Sequence, residues 1–373
     1  MKKYFPLCLL ISLLLFTGCR NDDIKEGEIK SDTRTVEQEL EFIRQKAKSV
    51  YKNEKGFWEA EFIHEIVMIY IPEGTFIMGN DRLNEKISGS PAAPEHKVTL
   101  TGYWIAKTPV TKKQFRIFVE EEKYITSVEK PGHEGPWVYE FKRKGFITIP
   151  GFNWDNAFSQ VTARFPHVRI EDTHPVTCVS WYDAVDYCEW LARKTGVNFV
   201  LPTEAQWEYA ARGKDGRIYP WGNEEPDGTK ANYADEAFHA VFPGTEQSLV
   251  HFGVDDGYAA TSPVGSYPAG ASPFGALDMA GNVTEWVFDW YGKYEKRHYV
   301  NPIGPKRGKD KVMKAGFWAG SAGREGQDPD ELIFGHNIRA DARQYDDPDS
   351  ADDHLGFRIA IDYITRREVE TGH

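Results

Sequence analysis

The first clear pattern of apolar and polar positions in the chain is helical. After a polar, charged stretch, apolar residues recur three or four positions apart, at Val36, Leu40, Ile43, Ala47 and Val50. This spacing places side chains on one face of an α-helix, so it predicts an amphipathic helix over residues 35–52. We expect the helix to pack on the surface of the domain that follows; the alternative is a helix that binds a partner.

Two neighbouring apolar runs predict β-strands. Residues 65–71 and 75–79 are rich in Ile, Val, Met and Phe, and Pro72-Glu73-Gly74 separates them. Strand-forming residues on both sides of a short turn are typical of a hairpin, so we expect the two strands to pair with each other. The globular domain is predicted to begin here, near His64.

Three further helices are predicted from their first residues. Each starts with a hydroxyl side chain and has an acceptor three positions later, in the pairs Thr111 with Gln114, Ser180 with Asp183, and Thr203 with Gln206. Such a capping box satisfies backbone N–H groups at the start of a helix. The second helix should bury Cys188 on its apolar face, and the third should end at Gly213 in the left-handed conformation.

Composition refines this picture. The 33 Gly and 21 Pro predict many loops, here over a modest antiparallel sheet, while an aromatic content of 14% is typical of a packed protein. The aromatic segment 130–166 is expected to be a surface excursion of the same domain. A net charge of -12 argues against nucleic acid as a partner, because the phosphate backbone requires a basic face. The acid pairs Asp346-Asp347 and Asp352-Asp353 are expected to be solvated in a polar loop.

The first residues have the pattern of a bacterial lipoprotein signal. Lysines precede an apolar run over residues 9–16 that is too short to cross a membrane, and Leu15-Phe16-Thr17-Gly18-Cys19 resembles a lipobox. Cys19 is therefore predicted to be lipidated and to tether the protein without spanning the membrane; the alternative is a plain secretory signal. The acidic cluster at 21–23 resembles the surface-export tag of Bacteroidetes lipoproteins, or is a solvated linker. The predicted location is the outer membrane, on its periplasmic or cell-surface face.

Several long motifs resemble the domain of formylglycine-generating enzymes, also called sulfatase-modifying factors. They are IPEGTFIMG at 71–79, HPVTCVSWYDAVDYCEWLARKTGVNFVLPTEAQWEYAARG at 174–213, YPWGNEEP at 219–226, FGALDMAGNVTEWVFDWY at 274–291 and ARQYDDPDSADDHLGFRIA at 342–360. The resemblance implies a loop-rich α+β fold related to C-type lectins, with a small antiparallel sheet. The predicted division is a signal at 1–18, a tether and helix at 19–63, the domain at 64–364 and a polar tail at 365–373.

The resemblance also implies two structural Ca²⁺ sites, since hard oxygen ligands spaced along loops suit this ion. The first would comprise Asn232, Tyr233, Asp256 and Tyr258. The second would comprise Asp278, Gly281, Val283 and Glu285. For Asp278 and Glu285 the alternative is a solvated acidic pair or a helix cap.

The residues that carry the family's oxidase chemistry are missing. In the family two cysteine thiolates bind Cu(I), and the copper activates oxygen to convert a substrate cysteine into formylglycine. The aligned positions here are Gly320 and Gly335, Phe317 replaces a serine, and an extra polar loop occupies residues 321–330. Copper is therefore not expected.

Neither remaining cysteine is expected to replace them. Cys8 lies in the signal, which leaves Cys178 and Cys188 in the domain, too few for a disulfide scaffold. Cys188 matches half of a family disulfide whose other half aligns with Ala340, so we expect it to be a structural thiol.

These observations favour binding over catalysis. The leading hypothesis is a lipid-anchored, extracytoplasmic module that binds a protein or polypeptide partner in the cell envelope or assists envelope assembly. Its recognition residues would line the family's substrate groove: Phe317, Trp318, Arg324, His336, Arg339 and Arg343. The alternative is a divergent oxidase that matures sulfatases by cysteine oxidation.

Overall fold

The computed structural model describes residues 35–81, 92–245, 249–322 and 337–362. The helices are α1 Val36–Lys46, α2 Lys112–Glu122, α3 Ser159–Arg164, α4 Trp181–Thr195, α5 Glu204–Arg212 and α6 Glu236–Val241. The strands are β1 Ser49–Lys52, β2 Trp58–Glu61, β3 Val67–Ile71, β4 Gly74–Met78, β5 His96–Leu100, β6 Tyr103–Ala106, β7 Trp137–Glu140, β8 Gly145–Thr148, β9 Phe199–Val200, β10 Thr284–Trp290, β11 Tyr299–Val300, β12 Lys311–Lys314, β13 Gln344–Asp346, β14 Leu355–Phe357 and β15 Ala360–Ile361. Within these ranges no helix is long and apolar enough to cross a membrane.

The strands form several small sheets joined by loops. A six-stranded sheet has the order β1-β2-β3-β6-β15-β9, and a four-stranded sheet has the order β13-β12-β10-β14. A three-stranded sheet, β11-β5-β4, and the β7-β8 hairpin complete the set. Most pairs are antiparallel, but β10 runs parallel to β14 and β11 parallel to β5. The predicted class, a loop-rich α+β fold with small and mainly antiparallel sheets, is confirmed.

The predicted hairpin over residues 65–79 is wrong. Strand β3 pairs with β2 and β6, whereas β4 pairs with β5 in a different sheet. The two runs also differ in burial, because β3 is buried along most of its length and β4 alternates between buried and exposed positions. The turn packs the chain against α5 so tightly that a Cβ at Gly74 would overlap the Tyr209 hydroxyl. Strand β4 therefore begins close against α5 and pairs with β5, outside the sheet that contains β3.

The helix predicted over residues 35–52 ends earlier. Thr35 caps α1 with a capping box, and the chain becomes extended at Ala47 before it enters β1. Leu40 and Ile43 are buried in the main core, so the apolar face packs on its own domain as expected. Because β1 and β2 extend the six-stranded sheet, the packed unit begins upstream of the boundary predicted near His64.

The three capped helices are confirmed as α2, α4 and α5, each with both hydrogen bonds of its capping box. Cys188 is buried on the apolar face of α4, as predicted. Helix α5 ends at Gly213, but this residue has φ 65° and ψ -142°, which is not the left-handed helical conformation that we predicted. Positive φ with extended ψ is accessible almost only to glycine, so the residue type still fits.

Residues 130–166 form the β7-β8 hairpin and α3, which pack against the segment after β12. Val138, Tyr139 and Val161 are buried in a core cluster that also contains Phe317 and Trp318. This excursion of the domain forms one wall of a large cavity, because Trp137, Phe146 and Thr148 line it.

Candidate functional site

A wide cavity, hereafter the cleft, has a volume of about 1240 Å³. Its walls come from residues 127–137, from the β7-β8 hairpin, and from the segments after β12 and around β13 and β14. Gly320, which the motifs predict to be the first lost cysteine position, lies beside the cleft: Phe317 and Ala319 line it, and the Gly320 N–H donates to the Phe317 carbonyl at 2.8 Å.

A tight backbone turn positions the floor of the cleft. Ala315 and Gly316 follow β12 with φ of 87° and 67°, and a Cβ at Gly316 would overlap the Asn337 carbonyl. Phe317 then stacks on the His354 ring with centroids 4.1 Å apart. Trp318 lies behind it, fully buried, with its Nε1 3.4 Å from the Asp353 carbonyl. Phe317 is thus a lining residue and Trp318 a supporting one.

An aromatic pair forms a neighbouring wall, with the Phe146 ring 6.0 Å from the Trp318 ring and the Trp137 ring 5.8 Å from the His354 ring. Trp137 and Phe146 face each other across the β7-β8 hairpin, with ring centroids 4.8 Å apart. Trp137 is 40% exposed, although large aromatic side chains are usually buried. An accessible aromatic surface beside a cavity is a common feature of binding sites.

A carboxylate–histidine cluster lies between these walls. His354 Nδ1 is 3.3 Å from an Asp353 carboxylate oxygen, and its Nε2 is 3.8 Å from Asp352. Both aspartates are buried, so the expectation that this pair is solvated is wrong. The Tyr139 N–H of β7 donates to the Asp353 carboxylate at 3.0 Å. Burial raises the pKa of Asp352 to about 6 and also raises the pKa of Asp353. Sequence reasoning missed this cluster because its burial depends on the distant β7-β8 hairpin.

Additional charged groups surround the cleft. The rim carries the acidic residues Glu134, Asp346, Asp347 and Asp349 against Lys130, and His133 Nε2 is 3.7 Å from Asp349. The lining is therefore both aromatic and acidic.

The residues that were predicted to recognise a partner do not all line the cleft. Arg343 lines the cleft, but its guanidinium donates to Glu204 at 2.6 Å and 2.9 Å and lies over the rings of Tyr291 and Tyr294. Arg339 pairs with Asp341 at 3.0 Å and does not line the cleft. Arg324, His336 and the second aligned position, Gly335, lie outside the described residues, as does Cys19.

Both described cysteines are buried thiols without a disulfide partner. Burial, with the nearby carboxylates of Asp353 and Asp352, raises the pKa of the Cys178 thiol. Neither cysteine lines the cleft. A high pKa and burial both suppress thiolate chemistry.

The residues of the first predicted calcium site lie together in loops. Asp256 accepts hydrogen bonds from the N–H groups of Tyr233 and Tyr258, and Asp235, which sequence reasoning missed, accepts from the Asp256 N–H at 2.6 Å. Burial raises the pKa of the Asp256 and Asp235 carboxyls, and their mutual repulsion adds to the rise for Asp256. The Asn232 side-chain oxygen is buried without a hydrogen-bond partner. An unpaired amide oxygen beside two destabilised carboxylates fits a hard cation.

The second predicted calcium set surrounds an arginine. Glu285 is fully buried and accepts from Arg358 Nε at 2.6 Å, from Arg358 Nη2 at 2.7 Å and from Trp207 Nε1 at 2.7 Å. The same guanidinium donates to the Asp278 carbonyl at 3.0 Å. Glu285 therefore takes part in a buried ion pair with Arg358, and burial raises the pKa of the Asp278 carboxyl to about 6. The second calcium set stays a prediction.

Comparison with known proteins agrees with this architecture. The model of the sulfatase-modifying factor enzyme 1-like domain matches residues 59–363, so the chain belongs to this family, as its motifs predicted. The match also begins before the boundary predicted at residue 64.

Two relatives from mouse are a formylglycine-generating enzyme and a protein named as its inactive counterpart. The chain is 32% identical to formylglycine-generating enzyme over 309 residues, which covers 80% of this chain and 75% of the relative. It is also 32% identical to inactive C-alpha-formylglycine-generating enzyme 2 over 307 residues, which covers 79% and 85%. Identity therefore does not separate an active relative from an inactive one.

Solved structures support the fold alone. PvdO from Pseudomonas aeruginosa has a TM-score of 0.54 at 22% identity, covering 85% of this chain and 99% of that protein. Treponema denticola variable protein 1 has a TM-score of 0.53 at 20% identity, with coverage of 84% and 98%.

Proposed function

We propose that this protein uses the formylglycine-generating enzyme fold to bind a polypeptide in the cleft and does not oxidise a cysteine. The observation that carries the proposal is the residue at the first thiolate position. Gly320 has no side chain to bind a soft metal ion, and the sequence contains no cysteine after Cys188. The fold around this position is retained, since Phe317 and Ala319 still line a large cavity.

The size and chemistry of the cleft favour a polypeptide with positive charge. A volume of about 1240 Å³ exceeds the roughly 300–1,000 Å³ typical of small-molecule sites. The acidic rim attracts cationic side chains, and the exposed Trp137 face can pack against an arginine by a cation–π interaction worth roughly 0.5–2 kcal/mol. The docked segment is therefore one that carries arginine or lysine next to apolar residues.

The proposal also includes a membrane anchor and a structural calcium ion. A lipidated Cys19 would tether the domain to the outer membrane, and the partner would be a protein of the cell envelope. Ca²⁺ held by the Asn232 side chain, the Asp256 carboxylate and backbone carbonyls of Tyr233 and Tyr258 would order the loops near α6. There it would supply a fixed positive charge, and its role would be structural.

A peptide oxidation assay tests the central claim. The mature protein is incubated with copper, oxygen, a thiol reductant and a peptide containing the Cys-x-Pro-x-Arg motif, with mouse formylglycine-generating enzyme as the positive control. We expect no aldehyde by mass spectrometry above the level without protein. Formation of formylglycine would overturn the proposal and establish the divergent oxidase.

Peptide binding tests the second claim. Fluorescence anisotropy compares peptides of equal length that carry arginines, glutamines or glutamates among apolar residues. We expect the arginine peptides to bind most tightly and Trp137→Ala to weaken them at least fivefold. Tyr51→Ala is the matched control, because Tyr51 is similarly exposed, at 42%, and does not line the cleft. Equal binding of all peptides would contradict the assignment.

A further inference from the structure

A second cavity, hereafter the basic cavity, has a volume of about 500 Å³ and shares Arg343 with the cleft. Its walls come from the end of β4, from the start of β5, from the start of α5 and from residues 292–307. This volume lies within the usual range for small-molecule sites. Nothing in the proposed polypeptide-binding function uses this cavity.

The rim of the basic cavity is positively charged in a chain that is acidic overall. Residues 293–309 contain six lysines and arginines and a single acid, Glu295, although the whole chain has 45 basic and 57 acidic residues. Four of the basic residues line the cavity: Lys293, Arg297, Lys306 and Arg307. Glu295 also lines it and pairs with Arg297 at 3.2 Å, which leaves Lys293, Lys306 and Arg307 as the main source of positive potential at the rim. A cluster of one charge sign around a concave surface raises the local concentration of ligands with the opposite charge.

The acidic groups of the floor are already compensated. The Glu204 carboxylate is paired with Arg343 at 2.6 Å and accepts from the Tyr294 hydroxyl at 2.7 Å. Asp289 accepts from the Glu204 N–H at 2.8 Å, at the N-terminus of α5, where the helix dipole favours a negative charge. The floor therefore does not cancel the positive potential of the rim.

One wall of the basic cavity is aromatic. The His96 ring contacts Tyr294 and Tyr299, with centroids 4.4 Å and 5.3 Å apart, and the Arg297 guanidinium lies 4.1 Å from the centre of the Tyr299 ring. Flat aromatic faces pack against the rings of sugars and bases, while guanidinium and ammonium groups bind oxyanions. Ring contact and anion contact are thus available in the same cavity.

We propose that the basic cavity binds a small phosphate or sulfate ester that carries a ring, such as a phosphorylated or sulfated sugar. The anionic group contacts Lys306 and Arg307 at the rim, and the ring packs against the aromatic wall of His96, Tyr294 and Tyr299. This proposal rests on different residues from the polypeptide-binding proposal, so each stands if the other fails.

Calorimetric titration tests the proposal with glucose 6-phosphate, glucose 6-sulfate, inorganic phosphate and uncharged glucose. We expect at least one of the two esters to bind, glucose not to bind, and inorganic phosphate to bind at least fivefold more weakly than the ester. Affinity should fall as the salt concentration rises. Absence of saturable binding by both esters would overturn the proposal, and equal binding of inorganic phosphate and ester would overturn the ring contact.

Charge-reversal variants locate the site. In K306E/R307E we expect the affinity for the ester to fall at least tenfold, with an unchanged melting temperature because both residues are exposed. K142E/R143E is the matched control: it makes the same change of charge at exposed residues outside the cavity, and its affinity should stay near that of the wild type. An equal loss in both variants would show a nonspecific charge effect and contradict the assignment. If the protein bound phosphatidylglycerol vesicles but neither ester, the proposal would also be overturned, and the basic residues would be assigned to a membrane-binding surface.

Discussion

The ion pair between Arg358 and Glu285 provides the sharpest test of how this fold is stabilised. Both side chains are fully buried and are joined by two hydrogen bonds of 2.6 Å and 2.7 Å. Arg358→Met removes the positive charge, keeps much of the apolar volume, and leaves the Glu285 carboxylate with the Trp207 indole as its remaining side-chain donor.

The expected cost follows from burial. Removing one partner of a buried pair leaves an uncompensated charge and typically costs about 3–5 kcal/mol. The guanidinium also satisfies carbonyl groups of Ala106, Leu277 and Asp278, so we expect the upper part of this range. A loss of this size lowers the melting temperature by roughly 6–8 °C in a domain of about 300 residues.

Urea unfolding at fixed pH, followed by tryptophan fluorescence, measures the loss. Arg193→Met is the matched control, because Arg193 pairs with Glu122 at 3.1 Å on the surface, where such a pair contributes about 0–1 kcal/mol. The double variant R358M/E285L should recover much of the stability, since apolar residues can replace a buried pair. A cost below about 1 kcal/mol for Arg358→Met would refute the reasoning. Full rescue of that variant by added calcium would show that Glu285 is a metal ligand.

Three further outcomes are expected. Chelation by EDTA should lower the melting temperature of the wild type by several degrees and that of Asp256→Asn by less; identical shifts in calorimetry would count against calcium near Asn232. Burial raises the Asp352 pKa to about 6 from an ordinary 3.8, so the folded state binds this proton more tightly and stability falls as pH rises from about 4 to about 6. The difference of about two pKa units corresponds to roughly 3 kcal/mol. In urea unfolding, Asp352→Asn should therefore be more stable than the wild type near pH 7 and as stable as the wild type near pH 3. Equal stability of the variant and the wild type at both pH values would contradict this. Thr203→Ala removes the cap of α5 and should cost about 1 kcal/mol by the same measurement, whereas no change would show that the cap is dispensable.

Much of the cleft could be anticipated from the aligned motifs, but the role of each residue could not. Phe317 was expected in the groove and lines it, while Arg343 was expected to recognise a partner and is engaged by Glu204, 139 positions away in the chain. Asp352 and Asp353 read as a solvated pair and are buried. Their environment depends on strands that are distant in sequence, which local patterns do not encode.

The sequence by itself determined the family, the loop-rich α+β class and the starts of α2, α4 and α5. A capping box involves residues three positions apart, so its physics is contained in a short segment. Tertiary structure alone decided that β3 and β4 join different sheets, that α1 gives way to β1, and that Glu285 meets Arg358, 73 residues away. These pairings depend on which helices and sheets bury their apolar faces against each other, and the packing of the whole chain decides this.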